Sequence, residues 1–306
     1  MHCEQLKRPF HRTGADYRLQ APNLRRVAKV IAGAAANRTQ KLMHARDSNL
    51  EEIAIKVPQV TLAFWIVKIL ATTLGETGGD AVTMSWLGET TPEAQGTGYL
   101  IGTGVFGVIF VLAVLVQIRA RKFHPFLYWL TIVATTTVGT TLADYCTRSL
   151  GIGYTGGSTI LLICVIASLL IWRWSTGSIS IETVSTPKVE IFYWVTIMFS
   201  QTLGTALGDW VADTNEMGYL GAAAVFGGLL LLTALLYYLT SFSRVILFWV
   251  AFILTRPLGA TIGDFLDKPI ANGGLALSRY TASLALLVVI VVLILIFPQK
   301  PASKAH

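Results

Sequence analysis

Between residues 57 and 298 the chain is a succession of eight long apolar runs, about 58–80, 98–118, 124–146, 153–172, 189–211, 218–239, 244–265 and 279–297, separated by short polar stretches. Each run has roughly the 20 residues that a helix needs to cross a hydrocarbon core of about 30 Å. The odd-numbered runs share one pattern: a tryptophan, a glycine ten residues on, and an aspartate five beyond that, as in WIVKILATTLGETGGD (Trp65 to Asp80), WLTIVATTTVGTTLAD (Trp129 to Asp144), WVTIMFSQTLGTALGD (Trp194 to Asp209) and WVAFILTRPLGATIGD (Trp249 to Asp264). These align without gaps, which marks four tandem copies of one two-run unit: 57–118, 119–187, 188–240 and 241–298. The predicted fold is an all-α integral membrane protein of eight transmembrane helices in four two-helix repeats. An even number of spans per copy makes the repeats parallel. GYLIGTGVFG at Gly98–Gly107 also matches GYLGAAAVFG at Gly218–Gly227, so the chain reads as two halves, each itself duplicated.

Composition agrees: 53% of residues are hydrophobic, 13% are charged and mean hydropathy is +0.60, far from soluble averages. The net charge of +7 is explained by topology. Basic residues crowd the first 56 positions (Lys7, Arg8, Arg12, Arg18, Arg25, Arg26, Lys29, Arg38, Lys41, Arg46, Lys56) and recur at Arg119, Arg121, Lys122, Arg173, Lys188, Arg244, Lys300 and Lys304 on the same side. Cytoplasmic loops carry such an excess, so both termini are expected in the cytoplasm. The other side holds Glu89, Glu93, Asp213 and Glu216, with Arg148, Lys268 and Arg279 as its few cations. Nucleic acid is not an expected partner, whereas membrane lipids are. Residues 1–56 show neither the repeat nor a spanning run and are expected to be a basic, disordered extension, with Leu24–Ala45 weakly amphipathic and able to lie on an anionic leaflet. Met43 is an alternative start to Met1. Residues 299–306 form a second cytoplasmic tail. Cys3, Cys146 and Cys164 have no metal-ligand or disulfide spacing and are read as packing residues.

Ionisable groups within a bilayer are costly and call for a reason. Stepping back from each aspartate by four residues stays on one helix face. Four layers result: Asp80, Asp144, Asp209, Asp264; then Glu76, Thr140, Thr205, Ala260; then Thr72, Thr136, Gln201, Arg256; and deepest Lys68, Ile132, Ile197, Phe252. A polar face in lipid turns towards protein or water, so these faces are expected to meet centrally. The repeat glycines Gly75, Gly139, Gly204 and Gly259, with Gly78, Gly79, Gly208 and Gly263, allow close helix packing or an opened helix end. The tryptophans suit interfacial anchoring or packing between repeats.

The stretch KVPQVTLAFWIVKILATTLGETGGD, with its recurring tryptophan and four tandem two-span copies, resembles a family of bacterial multi-pass membrane proteins known by a repeat of unknown function, over about residues 56–298. The resemblance implies a bacterial inner-membrane location and no particular activity.

Three readings fit the carboxylates. Asp80, Asp144, Asp209, Asp264 and Glu76 form an oxygen-rich cation site, completed by Thr72, Thr136, Thr140, Gln201 and the hydroxyls of Thr77, Thr141 and Thr205; the absence of histidine from the interior of every span favours hard ions of the Mn²⁺ or Mg²⁺ kind. Alternatively they cycle protons, or the aspartates cap the following helices. Lys68 and Arg256 are read as internal counter-ions, and Asp213 and Asp267 as outer-loop residues. No fingerprint of an enzyme appears in a suitable context and no cofactor is implied, although Glu76 with Asp80 is a paired-carboxylate alternative. The expected function is a transporter of a small cation, with or without proton coupling, metal-ion export being preferred. An organic cation among Tyr145, Trp210 and Phe265, a channel with an aspartate ring, and a scaffold or sensor acting through the tail are the alternatives.

Overall fold

A computed structural model describes residues 21–91, 94, 96–214 and 217–302. Cys3, Lys7, Arg8, Arg12, Arg18, Glu93, Glu216 and Lys304 lie outside the described residues. The chain divides into two units, Met1–Leu50 and Glu51–His306. The first contains most of helix α1, Ala21–Ala54. Over these residues a helix replaces the expected disordered extension. Its alanine-rich middle, AGAAANRTQKL, interrupted only by Gly33, has high helix propensity. Val30, Ile31, Leu42 and Met43 are exposed on it.

The second unit is built of α2 (Leu62–Asp80), α3 (Thr97–Arg119), α4 (Pro125–Asp144), α5 (Tyr154–Thr176), α6 (Pro187–Thr214), α7 (Gly218–Leu239), α8 (Arg244–Asp267) and α9 (Arg279–Ile296), with no strand among the described residues. Local chemistry sets the helix starts. The Thr61 hydroxyl accepts from the Phe64 amide, His124 Nδ1 accepts from the Leu127 amide ahead of Pro125, and proline opens α6. The first run starts later than its hydropathy suggests because Pro58 is held extended against Pro301, with the Ala302 amide donating to Val57 and the Gln59 amide to Lys300. Lys56 beside it donates to Glu190 at 2.6 Å and to the carbonyl of Ile118 at 2.8 Å.

Helices α2, α4, α6 and α8 form a closed inner ring, each packed on two neighbours: α2 on α4, α4 on α6, α6 on α8 and α8 on α2. Each outer helix packs chiefly on the inner helix of the next repeat rather than on that of its own: α3 on α4, α5 on α6, α7 on α8, and α9 back on α2, with smaller contacts of α7 to α6 and of α9 to α8. Among the described residues six helices are long and apolar enough to cross a membrane: α3, α4 with its continuation to Ser149, α5, α7, α8 and α9. Only 17–22% of the apolar window of α3, α5, α7 and α9 is buried within the chain, which leaves their outward faces for lipid. This is a multi-pass membrane protein. α2 and α6 have the length but carry more polar positions, because the polar layers of an inner helix face the ring and not lipid.

The same aligned positions meet at each of the four ring interfaces. A Cβ on Gly75 would collide with Thr136, one on Gly139 with Gln201, one on Gly204 with the Cβ and Cγ of Arg256, and one on Gly259 with Thr72. One turn further, Gly79 backs onto Thr140, Gly208 onto Ala260 and Gly263 onto Glu76, with Ala143 as the small residue of the second copy. The inner helices therefore carry small residues at i and i+4, the spacing that lets backbones approach closely in membranes. Of the two roles open to these glycines, the geometry realises packing: all four repeat glycines lie within continuous helix.

The opposite end of the ring is aromatic. Phe64 meets Trp129 at 5.4 Å between ring centroids, Tyr128 meets Trp194 at 5.8 Å, Tyr193 meets Trp249 at 6.2 Å, and Phe248 closes onto Trp65 at 5.8 Å. Each aromatic residue thus reaches the tryptophan of the next copy. Trp129, Trp194 and Trp249 are buried, which makes them inter-repeat packing residues. The Tyr128 and Tyr193 hydroxyls satisfy each other at 2.7 Å.

Gly204→Leu, forced against Arg256, is expected to cost about 2 kcal/mol or more and to lower the yield of folded protein. Gly104→Leu and Gly227→Leu, on outer helices where an added Cβ meets nothing within 4 Å, are expected to be tolerated. Thermal unfolding in detergent compares the three.

Candidate functional site

Arg256 organises the centre. It leaves α8 in the third layer, but its Nη2 reaches the second, donating to Glu76 Oε2 of α2 at 2.8 Å, to Thr140 Oγ1 of α4 at 2.6 Å and to Thr205 Oγ1 of α6. One nitrogen thereby joins all four inner helices. Ala260 makes this possible, since the fourth member of that layer has no side chain beyond Cβ to occupy the space. The Thr140 hydroxyl lies 3.3 Å from the same Glu76 oxygen and 3.2 Å from the Gly75 carbonyl. Arg256 and Glu76 are both fully enclosed.

Above them the four repeat aspartates divide into two pairs, each held by one cation. Arg148 binds Asp144 Oδ1 at 2.8 Å and Asp209 Oδ2 at 3.3 Å. Lys268 binds Asp264 Oδ1 at 3.0 Å and contacts Asp80 Oδ2, with Asp267 Oδ1 at 3.9 Å. Each cation stands four residues beyond the aspartate of its own copy and bridges to that of the next copy around the ring. Copies two and four supply the cations, while copies one and three have Met84 and Asp213 at that place.

These partners were not evident from sequence, where Arg148, Lys268 and Arg279 are read as outer-side charges. The signal was present in the i, i+4 spacing of Asp144 with Arg148 and Asp264 with Lys268. Asp267 is likewise not a loop residue: it is buried at the end of α8, where Arg279 Nε holds its Oδ2 at 3.0 Å. Asp213 is not in a loop either: it lies in the last turn of α6, where it is exposed and accepts from the Tyr154 hydroxyl at 3.0 Å. Helix capping falls to Glu89, whose carboxylate accepts from the Gly96 and Gly98 amides at the start of α3.

Glu76, Asp80 and Asp264 come together. Each offers one carboxylate oxygen, the three lie within 4.8 Å of one another, and all three residues are buried. Asp80 Oδ1 has no hydrogen-bond partner. An all-oxygen set of this spacing suits a hard cation, with the Lys268 ammonium already beside two of its members. Asp144 and Asp209 stand apart from this trio in their pair with Arg148. Thr72 donates its hydroxyl to the Thr255 carbonyl at 3.1 Å and to its own helix, Thr141 donates to the Val138 carbonyl, and Thr77 accepts from the Ser283 hydroxyl of α9 at 2.9 Å. Thr136 Oγ1 and both amide atoms of Gln201 are buried without partners. Among the described residues no carboxylate pairs with Lys68; its ammonium lies 4.2 Å from the centroid of the Phe252 ring.

The architecture and its paired charges define an all-helical, multi-pass membrane protein made of four two-helix repeats. Residues 63–123, 127–178, 192–243 and 247–298 each match the family model described as Repeat of Unknown Function (DUF347), and the chain belongs to that family. No curated protein and no solved structure matches it.

Arg256→Met, which strands Glu76 in a dry interior, is expected to cost about 3–5 kcal/mol. The double change Arg256→Met with Glu76→Gln removes both charges and should recover much of that loss. A double-mutant cycle on detergent unfolding measures the coupling.

Proposed function

We propose that this protein is a membrane transporter of a small cation, with export of a metal ion of the Mn²⁺ or Mg²⁺ kind preferred, and that Glu76, Asp80 and Asp264 bind the ion. The carrying observation is the buried trio of carboxylate oxygens within 4.8 Å of one another. A divalent ion there would displace the Lys268 ammonium from Asp80 and Asp264 and better balance three carboxylates. Lys268 follows the last turn of α8 and begins the loop to α9, so it is a tethered cation that can leave and return. Arg148 plays the corresponding part for Asp144 and Asp209.

In this reading all eight helices span. α2 and α6 join the six apolar spans because each is enclosed in the ring between two of them. The repeats run parallel, supported by the identical aligned positions that meet at successive interfaces. The aromatic end faces the cytoplasm of a bacterial inner membrane together with both termini. Arg119, Arg121, Lys122, Arg173, Lys188 and Arg244 cluster at that end, whereas Arg148, Lys268 and Arg279 at the other are committed to aspartates.

A carrier is favoured over a channel. The aspartates lie in two cation-bridged pairs and not in an open ring, and the aromatic girdle closes the axis beneath them. A non-transport role, as a scaffold or sensor, draws support from the same ion pairs, since a charge-balanced core is also what a purely structural bundle requires.

Cells lacking the protein are to be compared with cells expressing the wild type, Asp80→Asn, Asp264→Asn or Asp213→Asn at matched membrane levels. They would be challenged with Mn²⁺, Mg²⁺, Zn²⁺, Co²⁺ and Ni²⁺, with cell-associated metal read by mass spectrometry. One ion should fall in cell content with the wild type and with Asp213→Asn. Its transport should drop by more than about tenfold with either buried aspartate changed. Unaltered content of every ion in all strains would leave the structural role standing.

A further inference from the structure

The Lys268 ammonium marks a place where the ring already holds a positive charge, so its neighbours show what an ion standing there would meet. It contacts Asp80 Oδ2 and lies 3.0 Å from Asp264 Oδ1 and 3.9 Å from Asp267 Oδ1. Its fourth contact is not oxygen but the thioether of Met84, with Sδ at 3.4 Å. Met84 is 3% exposed. It lies four residues beyond Asp80 in the π-helical turn Ala81–Trp86 that continues α2, a distortion of the kind that recurs at functional sites. The aligned place in the other copies holds Arg148, Asp213 and Lys268, so copy one alone puts sulfur there.

The oxygens around this point are not all used. Asp80 Oδ1 and Asp267 Oδ1 are buried without hydrogen-bond partners among the described residues, and Asp267 Oδ1 is one of those near the ammonium. Both residues are more than nine-tenths buried. Charge then points to a divalent ion. Glu76, Asp80, Asp144, Asp209, Asp264 and Asp267 are set against Lys68, Arg148, Arg256, Lys268 and Arg279, which leaves one negative charge over. With the Lys268 ammonium swung out and a divalent ion in its place, the two signs balance, whereas a monovalent ion only reproduces the present excess.

Which divalent ion is favoured follows from the sulfur. Mg²⁺ and Ca²⁺ are hard ions that take oxygen ligands, and Mg²⁺ gives up its water reluctantly, so a thioether in place of an oxygen is a loss to both. Transition-metal ions accept a polarisable sulfur donor. The carboxylates therefore supply charge to any divalent ion, and the thioether discriminates among them. We propose that Met84 is a specificity-determining ligand which, beside Asp80, Asp264 and Asp267, directs the site to divalent transition-metal ions and away from Mg²⁺ and Ca²⁺. This assignment rests on the cation-transport reading and narrows its substrate class.

The test is calorimetric binding of Co²⁺, Mn²⁺, Cd²⁺ and Mg²⁺ to the purified full-length protein in detergent, for the wild type, Met84→Leu and Asp80→Asn. The wild type should bind Co²⁺ and Cd²⁺ more tightly than Mg²⁺. Met84→Leu, a volume-conserving change, should lose at least about tenfold in affinity for Co²⁺ and Cd²⁺ and far less for Mg²⁺. Asp80→Asn should weaken every ion. X-ray absorption of the Cd²⁺-loaded protein should show one sulfur among the metal's ligands in the wild type and none in Met84→Leu. An unchanged ratio of Co²⁺ to Mg²⁺ affinity in Met84→Leu, or an all-oxygen shell in the wild type, would overturn the role of Met84 while the carboxylate site stood. Failure of the wild type to bind any of the four ions would overturn both the role of Met84 and the cation site on which it rests.

Discussion

Everything in the ring depends on how closely four helices can approach. The small residues at two successive turns, Gly75 with Gly79, Gly139 with Ala143, Gly204 with Gly208 and Gly259 with Gly263, let each inner helix receive the side chains of the next. Between apolar helices in lipid there is no hydrophobic drive to associate, so this close contact has to come from dispersion and from polar groups that find partners across the interface. The two act together here. Only because the backbones are close can one guanidinium nitrogen of Arg256 touch side chains from α2, α4 and α6 at once. The same closeness excludes the water that would otherwise weaken the pairing.

Once the helices are this close, charge has to balance locally, and the alternation of copies is the solution adopted. Had all four copies carried a cation four residues after the aspartate, four cations would crowd four aspartates and like charges would stand next to one another. With cations only in copies two and four, Arg148 and Lys268 each serve two aspartates from adjacent helices. The outer layer has two-fold rather than four-fold character, in keeping with the match between Gly98–Gly107 and Gly218–Gly227. The second layer departs further from equivalence. Glu76 and Ala260 flank the two threonines Thr140 and Thr205, and the one arginine lent from below compensates for the one carboxylate.

Much of this was legible in sequence because both the repeat and the layers are periodic. The gapless Trp-to-Asp spacing marked the inner helices, and the four-residue steps grouped Glu76, Thr140 and Thr205 before any contact was known. What stayed hidden depends on closure or on ambiguity of type. Nothing local in α9 tells that it packs on α2, since its partner lies some two hundred residues away. Arg148, Lys268 and Arg279 were hidden because a basic residue near a span end has an ordinary explanation in membrane topology, and that explanation does not exclude a buried partner. The helical state of Ala21–Ala54 was masked by its charge, which suggests solvation whether or not the backbone is ordered. The tryptophans were ambiguous for a similar reason: interfacial and buried aromatic residues occupy the same depth in sequence, and only the contact with the preceding aromatic of the neighbouring copy separates them.

The two ends of the ring differ in the kind of interaction that closes them, and this bears on how an ion could pass. The aromatic girdle is held by ring packing and one hydroxyl pair, none of which a small ion can replace. The aspartate end is held by ion pairs, and a cation can substitute for an ammonium with little change of shape. Under the proposed transport function, exchange of Lys268 for an ion would be a local event, whereas access from the aromatic end would require helices to separate along the line of aromatic contacts. One place along that line with free volume beside it is where Phe248 meets Trp65. Trp65 is the partly buried tryptophan of the four, and a cleft of about 780 Å³ opens beside it between α2, α7 and α8. A carrier built on this ring would move α2 against α8, the two helices that also hold Glu76, Asp80 and Asp264, so that the motion that opens the aromatic seam also separates the ion's own ligands.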